Sequence, residues 1–141
     1  MTTIDFYTHC AEPLRVAVQL VTKAWNQHGH VRVLTAGEGM TEALDRLLWT
    51  WPPTSFLPHC RLASALATET PILVDHVPEH HGPAAVLVNL HTTPPPFFAR
   101  FERLAEIVPD EDDAMQAGRE RWKFYQQRGY ALRSHRLGER A

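Results

Sequence analysis

TIDFYTHCAEPLRVAVQLVTKAWNQHGHVRVLT, residues 3–35, changes its hydrophobic period twice. Thr3 to Thr8 alternates and is rich in β-forming residues, which predicts a strand. Glu12 to Gln27 has apolar residues at helical spacing and is followed by Gly29, a residue type that commonly ends helices. Val31 to Thr35 is again a short β-branched run. This order predicts two parallel strands joined by a helical crossover.

The following residues continue the alternation. Met40 to Trp51 predicts a second helix. Ile72 to Asp75 and Ala85 to Leu90 are continuous apolar runs, which are typical of strands buried on both faces. Phe97 to Leu104 is interpreted as a helix, and Ala105 to Pro109 as a short strand. The predicted fold class is therefore α/β, a single domain with a mostly parallel sheet flanked by helices.

The domain is expected to extend over residues 1–133. An edge strand is expected at Tyr130 to Arg133, at the end of the domain. Residues 134–141 are expected to be a frayed polar tail. No glycine-rich phosphate loop is present, because Gly37 and Gly39 lack a correctly spaced third glycine. The scaffold therefore has no nucleotide-binding loop, and its fold alone does not indicate an activity.

Positive charge is concentrated at the C-terminal end. Residues 114–141 hold seven of the 14 Lys and Arg residues but only two of the 16 acids, in a chain of formal net charge -2. This asymmetry predicts an anionic partner. Within this region, Asp112 to Tyr125 predicts one helix, and the acids at its start favour it by offsetting the helix dipole.

A helical wheel divides this predicted helix into two sides. The side interpreted as facing the core carries Ala114, Ala117, Phe124, Tyr125 and, unexplained, Arg121. The other side carries Met115, Arg119, Trp122, Lys123 and Gln126. An outward tryptophan flanked by cations suits a ligand with a carboxylate and a hydrophobic side chain, because arginine binds carboxylates with two hydrogen bonds. The alternative is an exposed face whose tryptophan covers a loop.

Composition disfavours several other classes of protein. A chain of 141 residues, 44% hydrophobic and 21% charged, is expected to form one globular domain. It has no apolar run of the roughly 20 residues that span a membrane and no signal-peptide pattern, so a cytoplasmic location is predicted. Cys10 and Cys60 form no CxxC motif, and His76, His80 and His81 are interpreted as part of a polar turn rather than a metal site.

A proline-rich segment, residues 52–70, interrupts the alternation. Phe56 and Leu57 lie between its prolines. A loop stiffened by proline loses little conformational entropy on docking, so it could present these side chains to a partner. It could equally be a lid packed on the protein's own core.

Several motifs, taken in order, resemble the chi subunits of bacterial DNA polymerase III. Each is weakly specific alone, but the loop SFLPH followed much later by the helix segment RERWKFY is a specific combination. The similarity extends over nearly the whole chain, except around residues 60–70 and at the C-terminal end. The motifs are Asp5-Phe6-Tyr7, Leu48-Trp49, Pro53 to His59, Val108-Pro109 and Arg119 to Tyr125.

The resemblance implies a non-catalytic accessory protein of the replicase clamp-loader assembly. Members of that family have a Rossmann-like fold without nucleotide-binding machinery. They pair with the small psi subunit through one surface. Through another they bind the acidic, phenylalanine-ended C-terminal tail of single-stranded DNA-binding protein. Contact with DNA would then be indirect, and the resemblance implies no cofactor.

The resemblance also implies which residues bind the tail. Val108 matches an apolar contact position, Arg119 matches an arginine that pairs with the tail carboxylates, and Lys123 matches a neighbouring lysine. Trp122 stands where the family usually has tyrosine. Met115 replaces a family lysine one helical turn before the arginine, which implies weaker attraction or a compensating contact elsewhere.

For the psi surface, the resemblance implies Phe56, with Leu57, Pro58 and Trp49 as its companions. Trp49 could instead belong to the core. This implication favours a partner surface over a lid for the proline-rich segment.

Two other functions are compatible with the residues. The basic end could bind single-stranded nucleic acid directly, although the acidity of residues 1–113 opposes contact with a polyanion. An enzyme using His59 as acid and base is the third possibility, but a histidine beside prolines could simply hydrogen-bond its own loop.

Overall fold

The computed structural model of the protein describes residues 2–50 and 57–137, which form strands and helices that follow the predicted order except in two segments. The strands are β1 (Thr3–Cys10), β2 (Val31–Leu34), β3 (His59–Cys60), β4 (Ile72–Asp75), β5 (Val86–Asn89), β6 (Arg103–Pro109) and β7 (Leu132–Arg136). The α-helices are α1 (Pro13–His28), α2 (Glu38–Thr50) and α3 (Asp112–Gln127). Two short 3₁₀ turns, Ala67–Glu69 and Phe98–Arg100, lie between strands.

All the described strand pairs are parallel and form one sheet of order β3-β4-β2-β5-β6-β1-β7. This arrangement confirms the predicted α/β fold. The order places β1, the first strand, between β6 and β7 from the end of the chain. Phe6 on β1 and Asn89 on β5 both stand opposite Glu106 on β6. These three residues therefore form one row across the sheet.

The core has two parts, one on each face of the sheet. On one face, buried residues of α1 and α2 such as Val18 and Leu44 pack on strand residues such as Ile72. On the other face, Phe6 packs with Tyr125 of α3. Three-layer packing of this kind is expected when every strand is parallel and needs cover on both faces. None of the described helices combines the length and hydrophobicity needed to cross a membrane.

The predicted helix at Phe97 to Leu104 is wrong. Only Phe98–Arg100 makes a 3₁₀ turn, and β6 begins at Arg103. Leu104 stands opposite both Ile4 of β1 and Leu87 of β5, so it is paired on both sides. Backbone pairing therefore takes Arg103 and Leu104 into the sheet, and only a short 3₁₀ turn forms before them.

The C-terminal strand is longer than expected. Strand β7 continues to Arg136 and pairs with β1 along the sheet edge, so residues 134–136 belong to the sheet rather than to a tail. Residues 138–141 lie outside the described residues. The proline-rich segment contains the two-residue strand β3, which the prolines concealed from the sequence pattern.

One irregularity interrupts β1. Tyr7 stands opposite Ile107 and Cys10 opposite Pro109, so β1 has one more residue than β6 over this interval. Such an insertion is a β-bulge, which bends a strand and re-aims its side chains. Within it, His9 has a φ of 58°, the left-handed value that histidine adopts more often than most residues.

Candidate functional site

A groove of about 380 Å³ runs between α3 and the carboxyl ends of β1 and β6. Ligands of open parallel sheets commonly bind at this edge of the strands. The groove is lined by Phe6, Thr8, His9, Val108, Met115, Gly118, Arg119, Trp122, Lys123 and Gln126.

Helix α3 contributes one continuous stripe to the groove. Its lining residues follow helical spacing of three and four positions. The helical wheel had placed five of the six on the side away from the core, and the structure brings those five to the groove. The sixth, Gly118, was missed, although it fits the same spacing between Met115 and Trp122.

Trp122 forms part of the groove wall and is only partly exposed. Its ring meets that of Phe6 edge-on, with the centroids 5.1 Å apart. The indole therefore packs against the core on the α3 face of the sheet while it also lines the groove. An aromatic side chain held in this way presents a large apolar contact at little entropic cost.

The groove floor depends on a close approach of α3 to β6. Val108 is buried and lines the groove, and Gly118 lies directly against it. A Cβ atom on Gly118 would stand 3.0 and 3.1 Å from the two methyl carbons of Val108. The absence of a side chain at Gly118 therefore lets the helix pack this close to the strand.

The charged rim of the groove is positive. Arg119 and Lys123 are exposed on α3, and Arg119 Nη1 donates to Gln116 Oε1 at 3.1 Å. None of the groove-lining residues within the described ranges carries a carboxylate. An apolar wall beside two cations is chemically suited to an anionic group attached to a hydrophobic one.

Arg121 points to the opposite side of α3, where it anchors the helix to the sheet. Its Nε donates to Glu106 Oε1 at 2.8 Å, and both side chains are buried. Tyr125 Oη donates to Glu106 Oε2 at 2.5 Å, and Asn89 Nδ2 donates to both carboxylate oxygens. The arginine that the wheel left unexplained is thus half of a buried ion pair. We call these four residues the anchor cluster.

Burial is the main cause of the pKa shifts of Glu106 and Tyr125. Desolvation raises the pKa of Glu106 above its ordinary value, although Arg121, Tyr125 and Asn89 all favour the carboxylate. Desolvation and the adjacent carboxylate raise the pKa of Tyr125 as well. Both side chains are fully enclosed, so this cluster holds α3 in place and does not offer a binding site.

The residues expected at the psi surface lie apart from the groove. Phe56 falls outside the described residues. Leu57 is only 2% exposed and packs in the core on the α1 and α2 face of the sheet. Pro58 is partly exposed. Trp49 is 60% exposed and its ring lies 4.9 Å from that of His59.

The candidate nucleophiles and metal ligands are spread through the fold. Burial raises the pKa of the Cys10 thiol to about 11, which keeps it protonated at neutral pH. His80 Nε2 donates to the Pro83 carbonyl at 2.9 Å, and burial lowers its pKa. Over residues 2–50 and 57–137, no three His, Cys, Asp or Glu side chains are grouped so that they could hold a metal ion.

His59 is held by contacts with its own loop and with α2. Its Nδ1 donates to the Leu57 carbonyl at 2.5 Å, and its Nε2 lies 3.2 Å from Asp45 Oδ1. No hydrogen bond joins this second pair, and Nε2 has no hydrogen-bond partner among the described residues. We regard the pair as a close contact rather than a hydrogen bond. The ring stabilises its own loop, as the sequence had allowed.

Comparison with known proteins supports an identification. Residues 1–133 match the family described as DNA polymerase III chi subunit, HolC. The chain is 35% identical over 141 residues to the DNA polymerase III subunit chi of Pseudomonas aeruginosa, an alignment covering 97% of this chain and 98% of that protein. It is 26% identical over 124 residues to the subunit of Haemophilus influenzae, covering 87% and 86% respectively. The corresponding figures for Escherichia coli are 25% over 119 residues, 84% and 81%.

An α/β scaffold with a positively rimmed groove thus belongs to an accessory subunit of the replication machinery. The chain belongs to the DNA polymerase III chi subunit family.

Proposed function

We propose that this chi subunit is a non-catalytic adaptor that holds the acidic, phenylalanine-ended C-terminal tail of single-stranded DNA-binding protein in the α3 groove. It would act in the cytoplasm, join the clamp loader through the psi subunit and contact DNA only indirectly. The observation that carries the proposal is the groove itself, which sets Trp122 and Val108 beside Arg119 and Lys123. All five residues expected to bind the tail, including Met115, line this one groove.

The chemistry of the groove fits the two parts of such a tail. A terminal phenylalanine ring would pack on the apolar wall formed by Trp122, Val108 and Met115. The tail carboxylates would lie toward Arg119, whose planar guanidinium can bind a carboxylate with two hydrogen bonds. Met115 supplies apolar area where the family has a lysine, so the attraction here depends more on the remaining cations.

Calorimetry with a synthetic acidic peptide ending in phenylalanine tests this proposal. Arg119→Ala should weaken binding about tenfold or more, since a hydrogen bond to a charged group contributes about 1.5–3 kcal/mol. Arg128→Ala is the matched control, because Arg128 follows the same helix and stacks over the Phe124 ring outside the groove. Equal losses in the two variants would reduce the effect to general electrostatics and contradict the proposed site.

The psi surface is proposed to include Trp49, whose side chain is largely exposed. An exposed tryptophan is a common anchor of protein interfaces. Trp49→Ala should weaken co-purification with psi and leave the affinity for the peptide unchanged. Loss of peptide binding in this variant would mean that the two surfaces are not separate.

Direct binding of single-stranded nucleic acid is the weaker alternative. Of the basic residues in the C-terminal region, Arg121 is buried in its ion pair and Arg133 is bound to Asp5 by two hydrogen bonds. Fewer cations are therefore available to phosphates than the sequence count implies. Tight retention of protein-free single-stranded DNA in a gel shift would favour this alternative.

A further inference from the structure

His9 is a groove residue that neither the helix pattern nor the family resemblance indicated. It lines the groove from the β1 side and is partly buried. It is also the only non-glycine residue with positive φ within the described ranges. Left-handed backbone at a binding surface is a conformation that the surrounding structure must hold in place. The left-handed conformation of His9 therefore calls for a functional explanation.

The β1 bulge brings the His9 side chain into the groove. Side chains alternate between the faces of a strand, so Phe6 and Thr8 face α3 and His9 would face α1 in a regular strand. Instead His9 lines the α3 groove, and Cys10 packs in the core on the α1 face. The extra residue in β1 therefore shifts the alternation and moves an imidazole from one face to the other.

The hydrogen bond of His9 orients its ring. Nδ1 lies 3.0 Å from Thr8 Oγ1. In the protonated ring, Nδ1–H donates to this hydroxyl and the Nε2–H is left to donate to a ligand. Nε2 makes no hydrogen bond to any residue within 2–50 or 57–137. The ring can thus offer one charged donor to an anion in the groove.

The surroundings of His9 are mainly positive. Arg119 and Lys123 face the same groove from α3, and Arg136 of β7 stands opposite Thr8 in the register. Asp110, which follows β6, is the nearby acid, and its N–H donates to the Cys10 carbonyl. A further cation among these groups is favourable only when a bound anion offsets the repulsion. A carboxylate in the groove would supply that offset.

We propose that His9 is a specificity residue of the groove that binds a carboxylate of the acidic tail in its protonated form. This inference rests on the proposed tail binding. His9 then adds, in a pH-dependent manner, one more cation to the groove that Arg119 and Lys123 line. Histidine is the residue type whose charge changes within the range from about pH 5 to pH 8, so affinity for the tail is higher at the acid end of that range.

The test is a calorimetric titration of the full chain with the acidic phenylalanine-ended peptide from pH 5.5 to pH 8. Affinity should fall about tenfold over this range, near the lower end of what a charge-assisted hydrogen bond contributes. In His9→Asn the affinity should be nearly independent of pH, because asparagine tolerates left-handed backbone but carries no charge. His9→Gly, which adopts this φ without strain, should behave in the same way.

The outcomes separate this inference from the proposed function. Binding that depends on Arg119 but has the same pH dependence in wild type and both His9 variants would overturn the role of His9 and leave the adaptor function intact. A chain that binds no such peptide at any pH would overturn both. Loss of the pH dependence in both His9 variants, with Arg119→Ala retaining it at lower affinity, would establish His9 as the titrating group.

Discussion

Glu106→Gln should destabilise the protein strongly although the two side chains have nearly the same shape. The carboxylate accepts hydrogen bonds from Arg121, Tyr125 and Asn89, and all of these partners are donors. Glutamine would turn an amide N–H₂ toward at least one of those donors. It would also leave the buried guanidinium of Arg121, only 3% exposed, without its counter-charge.

The magnitude follows from the burial of the pair. Removing one partner of a buried ion pair typically costs about 3–5 kcal/mol. Glutamine keeps one acceptor oxygen, so we expect the lower end, about 3 kcal/mol. In a domain of this size each kcal/mol lowers the melting temperature by about 2–4 °C, which gives a fall of about 6–12 °C.

Urea unfolding of wild type, Glu106→Gln, Arg121→Met and the double variant measures this directly. The cost of Glu106→Gln should be clearly smaller in the Arg121→Met background, because the uncompensated charge is then absent. A Glu106→Gln protein within about 0.5 kcal/mol of wild type, the usual range of surface substitutions, would refute the reasoning. Such a result would mean that the anchor cluster can rearrange around an uncharged side chain.

Two further predictions concern the sheet edge and the groove floor. Burial alone would raise the pKa of Asp5, but hydrogen bonds from Arg133 and His135 outweigh it and hold the pKa below its ordinary value. The stability that the ionised Asp5 contributes is therefore present above about pH 4 and is lost as the pH falls further. Asp5→Asn should flatten the decline in unfolding free energy that is measured from about pH 6 to pH 3. An unchanged slope would contradict this prediction. Gly118→Val should force α3 away from Val108, lower the unfolding free energy by about 1–3 kcal/mol and weaken peptide binding. Wild-type stability and affinity in that variant would mean that the helix position is adjustable.

The alternation of elements could be predicted because its signals are local. Apolar runs marked the buried strands, and Gly29, with a φ of 82°, ends α1 as its position predicted. The helix predicted over Phe97 to Leu104 failed at its C-terminal end because Arg103 and Leu104 pair with β1 and β5. Secondary structure set by neighbours across a sheet has no reliable local signature.

The candidate site likewise has one side that could be predicted from the sequence and one that could not. The α3 side of the groove was predictable, because 3.6-residue periodicity brings Arg119 and Trp122 to one face. The β1 side was not, because Phe6 reaches the groove through the strand order that puts β1 beside β6, and His9 also needs the bulge in β1. The role of Arg121 required knowledge of Glu106, which lies across the same boundary between helix and sheet.

The strand order has a consequence for synthesis of the chain. Strand β1 leaves the ribosome first, yet its two neighbours, β6 and β7, are encoded after residue 102. Contacts between such distant segments form late, since a long loop must close before they contribute. The groove therefore has no counterpart on a nascent chain whose synthesis has not yet passed Gln127, because helix α3 forms one of its walls.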